Sequence, residues 1–395
     1  MWLLLLMILP EHIRNRRSVK VAAFLVVVGT LVFWWYNFPF QKVHDYILQS
    51  KRGKSILLWN SNENERFFRQ HSGSCGSIRC EIISNRSERP IESYDAIVVI
   101  FGDDFSPVDP MELAEFQSES NNTNQKFVFY TRKSPQSLAS YHNVSEFTGV
   151  FNWTMTYRRD SDIPLLYGRI APEELSFLSP EDVLRHIERA RKTFRPRPKS
   201  RISKLNKVSP IVAWMASDCN TTSQRELYVK ELKNYIEVDV YGECGNLTCD
   251  GPQCYDILLR NYKFYLSFEN SLCPDYVTDT FFTMMDRDVV PVVYGGADYT
   301  RYAPTHSYID ARQFKPEELA TYLKILDAND TLYGEYFWWK DHYRVTSSEE
   351  NMWHNSFCDL SQKLHRDFES KSYQDLISYW GDYNQCVPFD PKWIF

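Results

Sequence analysis

Read from its pattern of apolar runs, the chain is an α/β protein of two domains, each with a parallel sheet. Its 395 residues are enough for two ordinary cores. The second half holds two strand–helix–strand units. In one, Ile211–Ser217 is followed by a helix over Ser223–Tyr235 and a strand over Glu237–Gly242; in the other, Tyr262–Phe268 is followed by a helix over Tyr276–Arg287 and a strand over Val289–Tyr294. In the first half, Ile56–Asn60, Tyr94–Phe101 and Lys126–Thr131 read as buried strands joined by polar connections such as Asp103–Pro110 and Glu115–Gln125.

Met1–Pro10 is apolar but too short to span a bilayer; Arg14, Arg16, Arg17 and Lys20 follow, and then Val21–Phe40 runs without a charge. About 20 apolar residues cross the hydrocarbon, so residues 21–40 are expected to be a transmembrane signal-anchor, with 1–20 as a cytoplasmic tail and 41–53 as a stem. A cleaved signal peptide is the alternative. Nine cysteines and the sequons at Asn85, Asn121, Asn143, Asn152, Asn220, Asn246 and Asn329 point to an oxidising, glycosylating compartment. The net charge of −6, without a basic block in the body of the chain, gives no support to a nucleic-acid partner.

Residues 54–190 are expected to form the first domain, on the acceptor side. It ends in a helix that Ser179, Pro180, Glu181 and Asp182 open with a cap, an N-terminal proline and first-turn acids. The basic, proline-containing stretch 191–208 reads as a linker, 209–371 as the second domain and 372–395 as a closing segment. No Gly-x-Gly-x-x-Gly occurs, so a nicotinamide cofactor has no support. In a parallel sheet, the loop after Phe268 lies at the carboxyl edge, where helix N–H groups face anions and a nucleotide diphosphate fits.

That loop carries the longest signature in the chain, Phe264-Tyr-Leu-Ser-Phe-Glu-Asn-Ser271 followed by Tyr276-Val-Thr-Asp-Thr280 and Val290-Pro-Val-Val-Tyr-Gly295. It resembles the donor-binding signature of the α1,3-fucosyltransferase family, glycosyltransferase family 10, of the metazoan Golgi type. A second stretch, Phe151-Asn-Trp-Thr-Met-Thr-Tyr-Arg-Arg-Asp-Ser-Asp162, is similar to another signature of that family. The resemblance implies a GT-B fold, in which two Rossmann-like domains face a cleft. It also implies a single-pass type II Golgi membrane protein that transfers L-fucose from GDP-β-L-fucose, with inversion, to GlcNAc-containing glycoprotein acceptors. The alternative is a protein of the same fold that binds glycan or nucleotide and turns over weakly.

The resemblance assigns donor contacts to Arg225, Asn270, Tyr276, Asp279 and Thr280. Asp279 stands where relatives have glutamate, and Thr280 where they have a lysine that supplies charge to the diphosphate. The expected catalytic base falls on Lys133 of Lys133-Ser134-Pro135, and a protonated lysine cannot take a proton; Glu146, Asp160 and Asp162 are the other candidates. Asp160-Ser161-Asp162 also has the look of an Asp-x-Asp metal motif, against which stands pairing of these acids with Arg158 and Arg159; the second reading is preferred, with no metal site and no required cofactor. The spacing of Cys244, Cys249 and Cys254 does not fit a zinc site. By resemblance, Cys75 and Cys80 pair with Cys358 and Cys386. The odd number leaves one thiol over, and this or the stem is a route to a homodimer.

Overall fold

The computed structural model describes residues 53–61, 73–75, 78–102, 105–119, 122, 124–139, 142–173, 179–193, 211–249, 261–347, 349–367, 369, 371–381 and 386–394. Residues Lys54–Cys75 with Cys80–Phe395 form one compact unit, which carries both large sheets. Met1–Gly53 with Gly76–Arg79 form another, of which Gly53, Ile78 and Arg79 are described.

The first sheet contains β1 (Lys54–Leu58), β2 (Gly73–Cys75), β3 (Ile78–Ile83), β4 (Ala96–Phe101), β5 (Lys126–Thr131), β6 (Trp153–Thr156) and β7 (Ile163–Pro164), in the order β2-β3-β1-β4-β5-β6-β7. From β3 to β7 the pairings are parallel. Every residue of β4 and β5 is buried, as a parallel sheet covered on both faces requires. Among the described residues, the connections of this sheet include the helices α1 (Pro110–Glu119) and the short α2 (Pro135–Leu138). The polar stretch read as a connection from Glu115 onward starts inside α1, which buries Leu113 and leaves most of its other side chains toward water. So small an apolar stripe gives little periodicity to read.

After β8 (Arg169–Pro172) comes α3 (Pro180–Thr193), where Ser179 and Asp182 exchange side-chain-to-backbone bonds as a capping pair, each N–H donating over 3.2 Å. The second sheet takes β9 (Val212–Met215), then α4 (Arg225–Leu232), β10 (Val238–Tyr241), β11 (Phe264–Phe268), α5 (Asp279–Met285), β12 (Val290–Tyr294) and β13 (Ile309–Asp310). Its order is β10-β9-β11-β12-β13, parallel throughout. Both expected strand–helix–strand units are present. With α6 (Pro316–Ala328) and α7 (Asp330–Glu335) packed beside it, the molecule has the two Rossmann-like sheets of the anticipated fold.

The chain then returns. β14 (Tyr343–Thr346) pairs antiparallel with β8, and α8 (Glu349–Arg366) lays Phe357, Leu360 and Leu364 into the core of the first sheet. Trp380 follows, with its ring 5.8 Å from Phe129 and 5.3 Å from Tyr157. Residues that the sequence pattern grouped with the second domain thus complete the first core.

Two cross-links fix this return: Cys75–Cys358 joins β2 to α8, and Cys273–Cys386 joins the loop after β11 to the closing segment; Cys219–Cys244 spans a local loop. Cys249 is also disulfide-bonded. Of the four cysteines expected to bridge the N- and C-terminal parts, Cys75 pairs with Cys358, whereas Cys386 reaches Cys273 and Cys80 is free, which corrects the expectation for those two. Cys80 lies in the first core, where burial pushes its thiol up to about 11, so it offers neither a reactive thiolate nor a link to a second chain.

The expectation of a single-pass type II membrane span is also corrected. Among the described residues no helix is long and apolar enough to cross a membrane, and residues 21–40, on which the anchor rested, lie outside them. The 18-residue α8 interleaves charges with its apolar positions, which suits a helix with one face on a core and not one surrounded by hydrocarbon. The tail, most of the stem and linker residues 194–208 also lie outside the described residues.

Candidate active site

The carboxyl edges of the two sheets meet through a chain of hydroxyls. At the end of β5, Thr131 Oγ1 donates to Phe101 O (2.9 Å) and accepts from Lys133 N–H (3.1 Å), which pins the next turn. Ser134 then caps α2 by accepting from Ser137 N–H at 3.1 Å. Its hydroxyl lies 2.7 Å from Ser271 Oγ, in the loop after β11, and both serines are fully buried. Beside them, Thr222 Oγ1, from the loop between β9 and α4, donates to Gln136 Oε1 at 2.7 Å. Three loops from two sheets are therefore fixed at one place, with Lys133 one residue from the junction.

The loop over 269–278 closes on itself. Glu269 N–H donates to Tyr294 O at 2.8 Å, and the Glu269 carboxylate accepts from Thr278 N–H at 2.8 Å. Burial drives this carboxyl up to about 7, while the Thr278 bonds and the Arg225 charge pull it down and Asp279 adds a push upward. Glycine is required at 296, because a Cβ there would run into the carbonyl carbon of Leu272 and the amide nitrogen of Cys273. The Cys273–Cys386 bridge anchors the middle of the loop.

Arg225 opens α4 after Gln224, which takes the left-handed conformation at φ 51°. One terminal nitrogen donates to Phe268 O and the other to Asp218 O, so the guanidinium joins the ends of β11 and β9. Each of these nitrogens carries a second N–H. Burial holds this arginine below its ordinary pKa, with Glu269 and Asp218 acting in the opposite sense. Arg225 Nε, Asn270 Oδ1 and Arg312 Nε at this edge are among the buried polar atoms without a hydrogen-bond partner, as are the nearby Trp214 Nε1 and Tyr299 hydroxyl. Arg312 donates from its Nη1 to Gly295 O at 2.8 Å and stacks over Trp393. A buried polar atom without a partner is free to bond, so two guanidinium N–H groups and an amide oxygen at one strand edge can take a polar ligand.

The chain belongs to glycosyltransferase family 10. Two family descriptions match it, "Glycosyltransferase family 10 (fucosyltransferase) C-term" over residues 205–380 and "Fucosyltransferase, N-terminal" over 51–168. The α-(1,3)-fucosyltransferase C of Drosophila melanogaster is 34% identical over 87% of this chain and 80% of its own length. Glycoprotein 3-α-L-fucosyltransferase A of the same fly is 32% identical over 87% of this chain and 64% of its own length. A 3-galactosyl-N-acetylglucosaminide 4-α-L-fucosyltransferase of Bos taurus is 30% identical, with 82% and 81% covered. The chain is a glycosyltransferase of the fucosyltransferase kind.

Other residues singled out in this family 10 chain are placed as follows. Tyr276 is buried, with its ring 4.8 Å from Tyr157, at the junction of the two halves. Asp279 is the exposed first residue of α5 and Thr280 the second. Asp160 takes both ends of the Arg158 guanidinium, at 2.8 and 2.7 Å, and its carboxyl is held below the ordinary range mainly by that pairing. Asp162 accepts from Thr154 N–H (3.0 Å), Tyr373 OH (2.9 Å) and Lys371 Nζ (2.8 Å). These acids thus hold the second signature and the closing segment together. Glu146 accepts from Asn143 Nδ2 in an exposed turn.

Asn85, Asn143, Asn220, Asn246 and Asn329 are exposed, and Asn121 lies outside the described residues. Asn152 differs from them, because its amide accepts from Phe127 N–H at 2.7 Å and donates to Lys371 O at 2.8 Å. Among the described residues no cluster of three or more His, Cys, Asp or Glu side chains is placed to hold a metal ion. Sequence reading missed the hydroxyl chain and Arg312. Serines and threonines are common in loops, and no local pattern announces a bond between residues 137 positions apart.

Proposed function

We propose that the chain transfers L-fucose from GDP-β-L-fucose to a GlcNAc hydroxyl of glycoprotein glycans, forming an α1,3 linkage with inversion. The observation that carries this reading is the group of orphaned atoms at the second sheet's carboxyl edge, Arg225 Nε, Asn270 Oδ1 and Arg312 Nε. Two guanidinium donors suit diphosphate oxygens, and an amide oxygen suits a ribose or base donor. In a single displacement the departing diphosphate gains charge, and fixed cations in a partly buried site stabilise it without reorganisation. The acceptor is then placed against the 131–137 turn, which Ser134–Ser271 holds to the donor loop at 2.7 Å.

Lys133 and Thr280 favour a second reading, a family 10 fold that keeps donor recognition with little turnover. The deciding experiment compares fucose transfer by the wild type with that by a Lys133→Glu, Thr280→Lys double variant, on chitobiose-core and N-acetyllactosamine acceptors. Transfer by the wild type supports the enzyme, and the better acceptor defines its specificity. Transfer only by the double variant supports the second reading. Absence of both transfer and GDP-fucose binding in the folded wild type defeats both.

A further inference from the structure

Glu269 is a buried carboxylate that the transfer reaction does not use directly. It sits where the chain leaves β11, and it spans the donor loop by accepting from Thr278 N–H, nine residues on, at 2.8 Å. Its own N–H is held by Tyr294 O, the last residue of β12, so the residue is fixed at both ends. The groups around it come from every element packed there: Arg225 of α4, Asp279 of α5, Tyr276 of the loop itself, Tyr167 just before β8, and Tyr299 in the turn after β12. Arg225 alone among these is cationic. Gly295 leaves room for the Glu269 stem, since a Cβ at 295 would lie 3.2 Å from Glu269 Cγ.

We infer that Glu269 is a positioning residue, whose carboxylate closes the 269–278 loop on Thr278 beside Arg225, and thereby sets the shape in which the donor binds. The inference rests on the nucleotide-sugar reading of the site. It deepens that reading by tying donor affinity to a group that touches no substrate. An ionised carboxylate makes the stronger, charge-assisted bond to Thr278 N–H and attracts the guanidinium; the neutral acid does both less well. Because burial brings this carboxyl up to about 7, the two forms exchange around neutrality.

Stability must move the other way. The folded pKa of about 7 lies above the ordinary 4.5, so the neutral form is favoured by folding. Its contribution is complete below about 4.5 and is lost as the pH rises through about 7. Donor binding is therefore expected to tighten over the range in which this residue's contribution to stability declines.

The test is GDP binding by calorimetry and donor KM by steady-state assay at pH 6 and pH 8, for wild type, Glu269→Gln and Glu269→Asp, with thermal melts alongside. The wild type is expected to bind GDP several-fold more weakly at pH 6, with kcat much less affected once its own pH profile is divided out. Glu269→Gln is expected to bind weakly at both pH values and to lose the decline in melting temperature between them. Glu269→Asp, which restores charge with shorter reach, is expected to regain pH dependence. If Glu269→Gln keeps the wild-type pH dependence of GDP affinity, the inference fails. Should that variant not fold, pH-independent GDP binding by the wild type and the aspartate variant overturns it equally. Calorimetry needs no turnover, so a folded chain that binds GDP without transferring fucose defeats the enzymatic reading alone.

Discussion

Asp162 shows what a motif-like carboxylate does once the chain is folded. In the sequence it is half of an Asp-x-Asp pair, equally able to hold a metal, act as a base or cap a turn. In the structure it receives Thr154 N–H, Tyr373 OH and Lys371 Nζ within 3.0 Å, which joins β6 to the closing segment. Replacing it by alanine leaves these donors unpaired in a largely buried place, so Asp162→Ala is expected to cost about 3 kcal/mol. Denaturant unfolding should show this loss of midpoint, and an unchanged midpoint would mean that water replaces the carboxylate without penalty. Asp160→Asn, exposed and joined chiefly to Arg158, should cost much less.

At the scale of elements, the loop between β11 and α5 is shaped by what lies under it. Gly296 follows β12 where the backbone of Leu272 and Cys273 passes too close for any Cβ. Gly296→Ala must push the loop outward. A cost of about 2 kcal/mol is expected, together with weaker GDP binding, because the displaced segment carries Asn270 and the Glu269–Thr278 closure. Thermal melts with and without GDP separate the two effects, and a variant with wild-type melting and affinity would show that the loop yields freely. Local pattern made β4, β5, β11 and β12 readable, since each is a short continuous apolar run bounded by polar residues. It did not reveal α1 or α8: α1 hides one buried leucine in a polar stretch, and α8 packs on β1, β2 and β7, all far earlier in the chain.

Across the whole molecule, the polypeptide crosses from the first sheet to the second and comes back. The Cys75–Cys358 bridge, with a sequence separation of 283, fastens the returning helix, and Cys273–Cys386, with a separation of 113, fastens the loop after β11 to the closing segment. Chain-entropy reasoning assigns roughly 2–5 kcal/mol to each, somewhat more to the longer loop. Function should rank them in the opposite order. Serine replacement of Cys273 and Cys386 is expected to weaken GDP binding more than replacement of Cys75 and Cys358, although both lower the melting temperature. Equal losses of affinity would place the effect in global stability.

Two signatures in the linear chain were enough to determine the family and the sheet class, because those features rest on short-range periodicity and contiguous motif residues. The joining of the two sheets was decided only in three dimensions. Ser134 against Ser271, Asp162 against Lys371, Cys273 against Cys386 and α8 on the first sheet all join residues more than a hundred positions apart. Their partners are chosen by packing and by the need to satisfy buried polar groups, and neither condition exists before the two sheets have formed.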